Sequence, residues 1–394
     1  MKPFLFLNSL ILWVSASLAF AAPSDPIVIG LNADMSGSTK LAGTAIERGA
    51  KIAISEINQQ GGVLGRPLEL MITDHRGNPA RGKDNVLDLS AVPELVAILG
   101  GLHTPVVLAE LELIHQEKVP YLVPWAAGTT IIDNGYSPNY VFRVSVRDEF
   151  ASEYLLDQAI KQGFRSPCLL LENTGWGRSN QNGFQKAAQK FGVTLPDTQW
   201  FNWGAKSFRN ILAEFSKKRC DVIMLVSNAR EAVFLVQDMA NLLEKQRVPI
   251  ISHWGITGAD FPKLIEGYSD KIELTFLQTY SFFSPTRSEV AERIIEKYYQ
   301  QFDTSKELAA IVSPVGTAHA YDLIHLLARA LKRANSSDRD AVRAALEKLD
   351  RYEGLVRVYE KPFTETRHDA LDRTDFRLAR YGENGEIIPL ETVD

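Results

Sequence analysis

The chain is poor in cysteine. Only two of its 394 residues are cysteines, Cys168 and Cys220, and neither has a second cysteine or a histidine at metal-ligand spacing. A structural zinc site needs four such ligands in short clusters, so the sequence predicts no metal site. The seven histidines are scattered along the chain, and no Cys/His or Ser/His pair indicates a nucleophile with its base.

Catalytic and nucleotide-binding motifs are also missing. The sequence has no G-x-S-x-G elbow, no H-E-x-x-H, no G-x-x-x-x-G-K-[ST] loop and no G-x-G-x-x-G after a strand. Gly175-Trp176-Gly177 follows an apolar run but lacks the third glycine. These absences disfavour an enzyme, and we expect no cofactor.

Positive charge is not in excess. The 43 lysines and arginines are outnumbered by 48 aspartates and glutamates, which gives a formal charge of −5. Such a chain is not expected to bind nucleic acid or an anionic membrane surface. No run beyond the N-terminal segment is long and apolar enough to span a bilayer, so we expect no direct membrane insertion.

The N-terminal segment has the features of a secretory signal peptide. Lys2 supplies the positive charge, Phe4 to Phe20 is mostly apolar, and Ala19-Phe20-Ala21 is an A-x-A cleavage site. Polar residues dilute the apolar stretch and no basic cluster follows it, which disfavours a membrane anchor. No cysteine follows the cleavage site, which disfavours a lipoprotein. We therefore predict that residues 1–21 are removed and that the mature chain is soluble in the periplasm.

Short apolar runs alternate with longer amphipathic stretches along the rest of the chain, which is the pattern of parallel sheets covered by helices. One series runs from a predicted strand at Pro26–Ala33 to another at Tyr140–Val146. The pattern restarts with a predicted helix at Asp148–Gln162 and a strand that opens at Cys168. The sequence therefore predicts an α/β fold with two consecutive open parallel sheets of similar size. The remaining helices and strands complete these two units.

Cys168 and Cys220 each open a strand-like run, CLLLEN and CDVIMLVSN. If the two strands are parallel neighbours, the thiols start side by side and form a candidate disulfide in an oxidising compartment. Two buried free thiols are equally compatible with the sequence.

Ligands of open α/β sheets bind beyond the carboxyl ends of the strands. The segments that follow the predicted strands combine glycines, hydroxyl residues and tryptophans. Glycine lets a ligand approach the backbone closely, and helix starts attract anions. Simple helix capping by Thr104 and packing of each tryptophan against its own domain are the alternatives. The candidate ligand-binding residues are His103, Thr104, Trp125, Ala126, Ala127, Gly128, Thr129, Trp176, Asn228, His253 and Trp254.

Several segments resemble periplasmic binding proteins for branched-chain amino acids. The N-terminal signature is Met35-Ser36-Gly37, then Gly43, then ERGAKIAISEINQQGGVLGRPLEL followed by Asp74. Later matches are LVAILGG, VPYLVPWAAGTT, YVFRVSVRDEF, Gly175-Trp176-Gly177 and AHAYDLIHLLARAL. The resemblance covers nearly the whole mature chain.

This resemblance implies two doubly wound lobes, joined by three chain crossings, that close over a ligand like a hinge. The first lobe would comprise residues 22–146 and 282–352, and the second residues 147–281 and 353–394. The implied partners are a small-molecule ligand and the membrane permease of an ABC importer, and the chain is expected to be monomeric. The resemblance places a carboxylate-binding hydroxyl at Thr104, backbone contacts in Trp125–Gly128, a hydroxyl near Thr129 and a second-lobe aromatic at Trp176.

The sequence departs from the family pattern where amino-acid binders carry an acid for the ligand ammonium. After Ser252 it has His253-Trp254-Gly255, and Ala42 stands where an aromatic is frequent. A buried ammonium without an anionic partner is costly. Asp34, at a strand end, is the alternative acid for an ammonium. Without it no carboxylate faces the ammonium of leucine, so we expect weak leucine binding and a ligand that is a carboxylate or amide with an apolar or aromatic body.

Two other functions fit the same fold. A ligand-sensing subunit would dock its closed form on a membrane receptor, and nothing in the sequence separates this role from transport. An enzyme would need an acid–base or nucleophile pair in the cleft, for which the sequence offers no candidate.

Overall fold

The computed structural model describes residues 25–284 and 286–390. The predicted signal peptide, residues 1–21, lies outside the described residues. None of the described helices has both the length and the hydropathy needed to cross a membrane.

The first sheet is built from the N-terminal third of the chain. Its five strands within the described residues are all parallel and lie in the order β2-β1-β3-β4-β5. Every residue of β1 and β3 is buried, as expected for strands covered by helices on both faces. The strands are β1 Ile27–Ala33, β2 Leu68–Asp74, β3 Leu95–Gly100, β4 Tyr121–Val123 and β5 Val141–Arg143.

The second sheet repeats this arrangement. Across the described residues its strand order is β14-β13-β10-β9-β8-β6-β7. The parallel strands β7-β6-β8-β9-β10 follow the same order as β2-β1-β3-β4-β5 of the first sheet. Two antiparallel C-terminal strands, β13 and β14, extend it at one edge. The strands are β6 Pro167–Glu172, β7 Thr198–Phe201, β8 Val222–Val226, β9 Ile250–Ser252, β10 Leu274–Gln278, the ribbon β11 Tyr352–Glu353 and β12 Val358–Tyr359, then β13 Arg377–Tyr381 and β14 Ile387–Pro389.

Helices flank both sheets, and the chain passes between the two units three times. It crosses after β5, returns after β10 to form three helices on the first sheet, and crosses again before β13. We call the unit around each sheet the first lobe and the second lobe. The helices are α1 Lys40–Gln59, α2 Pro79–Ser90, α3 Thr104–Gln116, α4 Thr129–Ile132, α5 Asp148–Lys161, α6 Gly175–Phe191, α7 Arg209–Lys217, α8 Ala229–Ala240, α9 Phe261–Leu264, α10 Glu289–Gln301, α11 Pro314–Ala334 and α12 Arg339–Leu346.

The packing of α1 against α11 joins distant parts of the chain into the first lobe. Gly49 of α1 lies so close to the backbone of Thr317 that an added Cβ would come within 2.1 Å of the Thr317 carbonyl oxygen. The Thr317 hydroxyl donates to the carbonyl of Ala45 at 3.2 Å. Glycine at position 49 is therefore required by this close approach.

Side-chain hydrogen bonds set two local features of the chain. Helix α6 begins at Gly175, because Thr174 caps it and its hydroxyl accepts from the Gly177 N–H at 3.5 Å. The apolar tail run 354–360 does not form one continuous strand. The carboxylate of Asp322 accepts the N–H groups of Leu355 and Val356, at 2.7 and 3.0 Å, and the chain turns there to form the ribbon β11-β12.

Cys168 and Cys220 are joined by a disulfide with a Cα–Cα separation of 5.7 Å. Cys168 lies in β6, and Cys220 lies two residues before β8, its parallel neighbour. The two strands are thus adjacent, as the sequence predicted. The bridge closes a chain segment with a sequence separation of 52 residues.

Replacing both cysteines with alanine should lower the free energy of unfolding by about 2–4 kcal/mol, because the unfolded chain regains the entropy of an open loop. Urea unfolding followed by circular dichroism measures this difference. Wild-type protein unfolded with a thiol reductant is the matched control and should show the same loss. An unchanged midpoint in both samples would contradict a stabilising role.

Candidate functional site

A cavity lies where the carboxyl ends of the two sheets face each other. Its volume is about 20 Å³, which is room for little more than a water molecule. Its lining comes from both lobes and from the loops that follow β3, β4, β7, β8 and β9, together with the end of β6. The lining residues are Leu102, His103, Thr104, Pro105, Trp125, Ala126, Ala127, Glu172, Trp176, Trp203, Asn228 and Trp254.

Thr104 is buried at the start of α3, on the first-lobe side of the cavity. Its hydroxyl oxygen accepts the N–H of Gly128 at 3.2 Å. That bond uses a lone pair and leaves the hydroxyl proton available to a ligand oxygen. The helix start adds the positive end of the α3 dipole, so this corner of the cavity favours an anionic group.

His103 lies beside Thr104 and is neutral at pH 7, because burial lowers the pKa of its imidazole to about 4. Its Nε2 is 3.1 Å from the hydroxyl of Thr39, whose own proton goes to the carboxylate of Asp34 at 2.6 Å. Nε2 must therefore carry the proton and donate it to Thr39. Nδ1 has no partner among the described residues and is left as a hydrogen-bond acceptor.

The loop after β4 supplies a backbone wall. The N–H of Ala126 donates to the carbonyl of Gly101 at 2.6 Å, whereas the N–H of Ala127 has no partner within residues 25–284 and 286–390. Gly128 and Thr129 do not line the cavity. The polar groups of Thr129 bond residues of the second lobe instead. Its N–H donates to the hydroxyl of Ser179 at 3.0 Å, and its own hydroxyl accepts the N–H of Glu149 at 3.2 Å.

Three tryptophans form the aromatic walls. Trp125 of the first lobe and Trp254 of the second lobe are in contact across the cavity, with ring centroids 5.4 Å apart. Trp176 completes the second-lobe side, and its indole N–H donates to the carboxylate of Asp148 at 3.1 Å. All three rings are buried, so they present a dry surface that suits an apolar or aromatic body.

His253 does not line the cavity and is fully buried behind Trp176 and Trp254. Its Nδ1 accepts the N–H of Trp254 at 2.9 Å. Its Nε2 is 3.2 Å from the Asp148 carboxylate. The ring therefore supports the tryptophans from the side away from a ligand.

Sequence reasoning missed Glu172, the last residue of β6. Its carboxylate accepts the backbone N–H and the side-chain amide of Asn228, at 3.0 and 2.8 Å. Burial raises the pKa of Glu172 to about 7, and hydrogen bonds from Trp203 and Asn228 partly oppose this shift. The sequence offered no acid for this wall, whereas the structure places the carboxylate of Glu172 in the cavity lining.

Trp203 is the second missed residue. It follows β7, lines the cavity and lies across the cleft from His103, with ring centroids 5.9 Å apart. The rule that ligands bind beyond strand ends finds both residues when it is also applied to the loop after Phe201, the end of β7, and to the last residue of β6. Among the described residues, no group of three or more His, Cys, Asp and Glu side chains is arranged to hold a metal ion.

Comparison with known proteins gives consistent results. The Leu/Ile/Val-binding protein BraC3 of Rhizobium johnstonii is 24% identical over 263 residues, which is 65% of this chain and 69% of that protein. The branched-chain amino acid transporter substrate-binding protein of Streptococcus pneumoniae, solved in complex with isoleucine, has a TM-score of 0.76 at 20% identity and covers 93% of this chain and 100% of its own.

A solute-binding protein of an ABC transporter from R. palustris, solved in complex with 4-hydroxybenzoate, is equally similar. Its TM-score is 0.77 at 19% identity, with 94% of this chain and 96% of that chain covered. The likeness to both structures establishes the shared two-lobe α/β fold. Residues 26–386 match the family described as periplasmic binding protein, and the chain therefore belongs to that family of solute-binding proteins.

Proposed function

We propose that the protein is the soluble, monomeric solute-binding component of an ABC-type importer and delivers its ligand to a membrane permease. The observation that carries this proposal is the buried cavity lined by strand-end residues of both lobes. A ligand there contacts both lobes at once, so binding stabilises the closed arrangement that a permease can recognise. The resemblance to transport proteins in sequence and fold supports the importer role.

The groups that line the cavity suit a small carboxylate with an aromatic or apolar body, which enters when the lobes move apart, because the present space of about 20 Å³ is too small to hold it. Thr104, the start of α3 and the free N–H of Ala127 offer donors to a carboxylate, and the three tryptophans cover the body. Glu172 offers an acceptor to a hydroxyl, amide or ammonium group of the ligand. Isoleucine and 4-hydroxybenzoate, the ligands of the two similar structures, share a carboxylate and an apolar body and differ in their donor group.

We expect hydroxylated aromatic carboxylates such as 4-hydroxybenzoate to bind more tightly than leucine. Glu172, with its pKa raised to about 7, is only partly ionised at neutral pH and already accepts from Asn228 and Trp203, so it is a weak partner for an ammonium ion. Calorimetry with leucine, isoleucine, their deaminated acids, benzoate and 4-hydroxybenzoate decides this. Tight leucine binding, with the acids ignored, would contradict the ligand class.

The pH dependence of ligand affinity should have opposite signs for the two ligand classes, which provides an internal control. An anion without an ammonium group binds best while Glu172 is protonated, so its affinity should fall as the pH rises through about 7. An amino acid whose ammonium faces Glu172 should bind more tightly over the same range. Glu172→Gln should abolish either dependence, because the amide does not titrate.

Substitutions in the two walls should weaken binding. Trp176→Ala should cost about 2 kcal/mol or more, because it removes an aromatic anchor from a desolvated pocket. Thr104→Val should cost about 1–3 kcal/mol by leaving a buried polar group of the ligand unpaired. Calorimetry with the ligand found above measures both losses.

Two matched controls should bind the ligand normally: Thr104→Ser, which keeps the hydroxyl, and Trp200→Ala, which lies outside the cavity lining. Equal losses of affinity in the controls would contradict the proposed site.

We further propose that the lobes open as rigid bodies when the cavity is empty, with the first two crossings near 146–147 and 281–282. Residues 353–359 would move with the first lobe, because Asp322 of α11 accepts the N–H groups of Leu355 and Val356, and the third crossing would lie near Asp369. The contacts between Trp125 and Trp254 and between His103 and Trp203 would then separate. X-ray scattering should show a larger radius of gyration for ligand-free protein than for ligand-saturated protein. The same radius in both states, with saturation verified by calorimetry, would exclude closure.

A further inference from the structure

Asp148 is a fully buried acid that does not line the cavity. It is the first residue of α5 and lies on the crossing between β5 and the second lobe. Burial of a carboxylate is costly unless strong partners compensate for the lost hydration. The identity of its partners therefore indicates what the residue contributes.

The backbone of Asp148 holds the first-lobe wall. Its N–H donates to the carbonyl of Ala127 at 2.8 Å. Other residues of the same crossing hold the neighbouring carbonyls: Ser145 donates to Trp125 at 2.7 Å, and Arg143 donates to Gly128 at 2.9 Å. The carbonyls of the loop are thus directed to the crossing and away from the cavity.

The side chain of Asp148 holds the second-lobe walls. Its Oδ1 accepts the indole N–H of Trp176 at 3.1 Å and lies 3.2 Å from Nε2 of His253. Nδ1 of His253 accepts the N–H of Trp254, and Nε2 is the ring nitrogen nearest Asp148, although it makes no hydrogen bond there. Asp148 therefore holds Trp176 by a direct hydrogen bond and touches the His253–Trp254 pair by close approach alone.

The crossing itself is fixed by buried charge. Arg143 is fully buried, and its Nε donates to the carboxylate of Asp369 at 2.6 Å. Asp369 belongs to the third crossing and also accepts from Arg147 at 3.2 Å. Asp148 follows Arg147 directly, so its position is set by two of the three crossings.

We propose that Asp148 is the positioning residue of the cleft, which orients Trp176 relative to the Trp125–Gly128 loop. One residue at the hinge thereby sets the geometry of both walls, and substitutions at Asp148 change ligand binding without removing a ligand contact. Only the affinity arm of the test below depends on the proposed function. The orientation of Trp176 is measured without ligand.

The first arm is NMR of the mature, ligand-free chain labelled with ¹⁵N-tryptophan. The indole signal of Trp176 is assigned by its loss in Trp176→Phe. A carboxylate acceptor forms a stronger hydrogen bond than an amide oxygen. The Trp176 indole proton should therefore move upfield by a small step in Asp148→Asn and by a larger step in Asp148→Ala, while the indole signal of Trp200 stays in place.

If Asp148→Ala does not fold, the step in Asp148→Asn, which has nearly the same shape, still decides the question. An unmoved Trp176 signal in every folded variant overturns the proposal. This result would leave the proposed function untouched, because no ligand is present.

The second arm is a double-substitution cycle on affinity, measured by calorimetry with 4-hydroxybenzoate and leucine as probes. Asp148→Ala should lose about tenfold in affinity, and adding Trp176→Phe should cause little further loss, because both changes break the same bond. Asp148→Asn should restore most of the affinity. Additive losses, or no rescue by asparagine, would overturn positioning through Trp176. Failure of both probes to bind wild-type protein would count against the proposed ligand class and leave the NMR arm to decide.

Discussion

Parallel strands carry all their carboxyl ends on one edge of a sheet, and the cleft depends on this directional constraint. In both lobes the strands wind in the same order, so each lobe presents one loop-bearing edge. Three crossings hold the two edges face to face. Each cavity-lining residue lies at or just beyond a strand end, although these residues are spread from Leu102 to Trp254. The site is thus a product of sheet direction rather than of any contiguous motif.

Burial of acids around this edge is compensated in three different ways. Asp34 accepts the hydroxyl and N–H of Thr39 together with the N–H of Gly37. It thereby fixes Thr39, whose hydroxyl contacts His103. Asp148 accepts the indole N–H of Trp176. Glu172 keeps a raised pKa because burial outweighs its hydrogen bonds. Of these three acids, only Glu172 faces the cavity, which makes it the group most able to respond to the charge of a ligand.

The sequence was sufficient to predict the fold class, because period and strand–helix alternation report directly on burial. It also predicted most of the cavity lining, from Thr104 to Trp254, because strand ends can be located by pattern. It did not reveal which of those residues line the cavity and which support the lining from behind. Whether His253 faces a ligand or Asp148 depends on side-chain directions, and Glu172 was read as part of a strand. Asp148 had no local signal, since an acid in the first turn of a helix is ordinary.

The discontinuity of both lobes has a consequence for the order in which the chain can fold. The strands of the first sheet are complete at Arg143, yet α11, which packs on α1 through Gly49, begins at Pro314. The second sheet needs β13 and β14, which end at Pro389. A chain emerging from its N-terminus therefore exposes the apolar face of α1 until most of the sequence has followed. Neither lobe can complete its fold before the other is nearly synthesised, because both include segments from the last few dozen residues of the described chain.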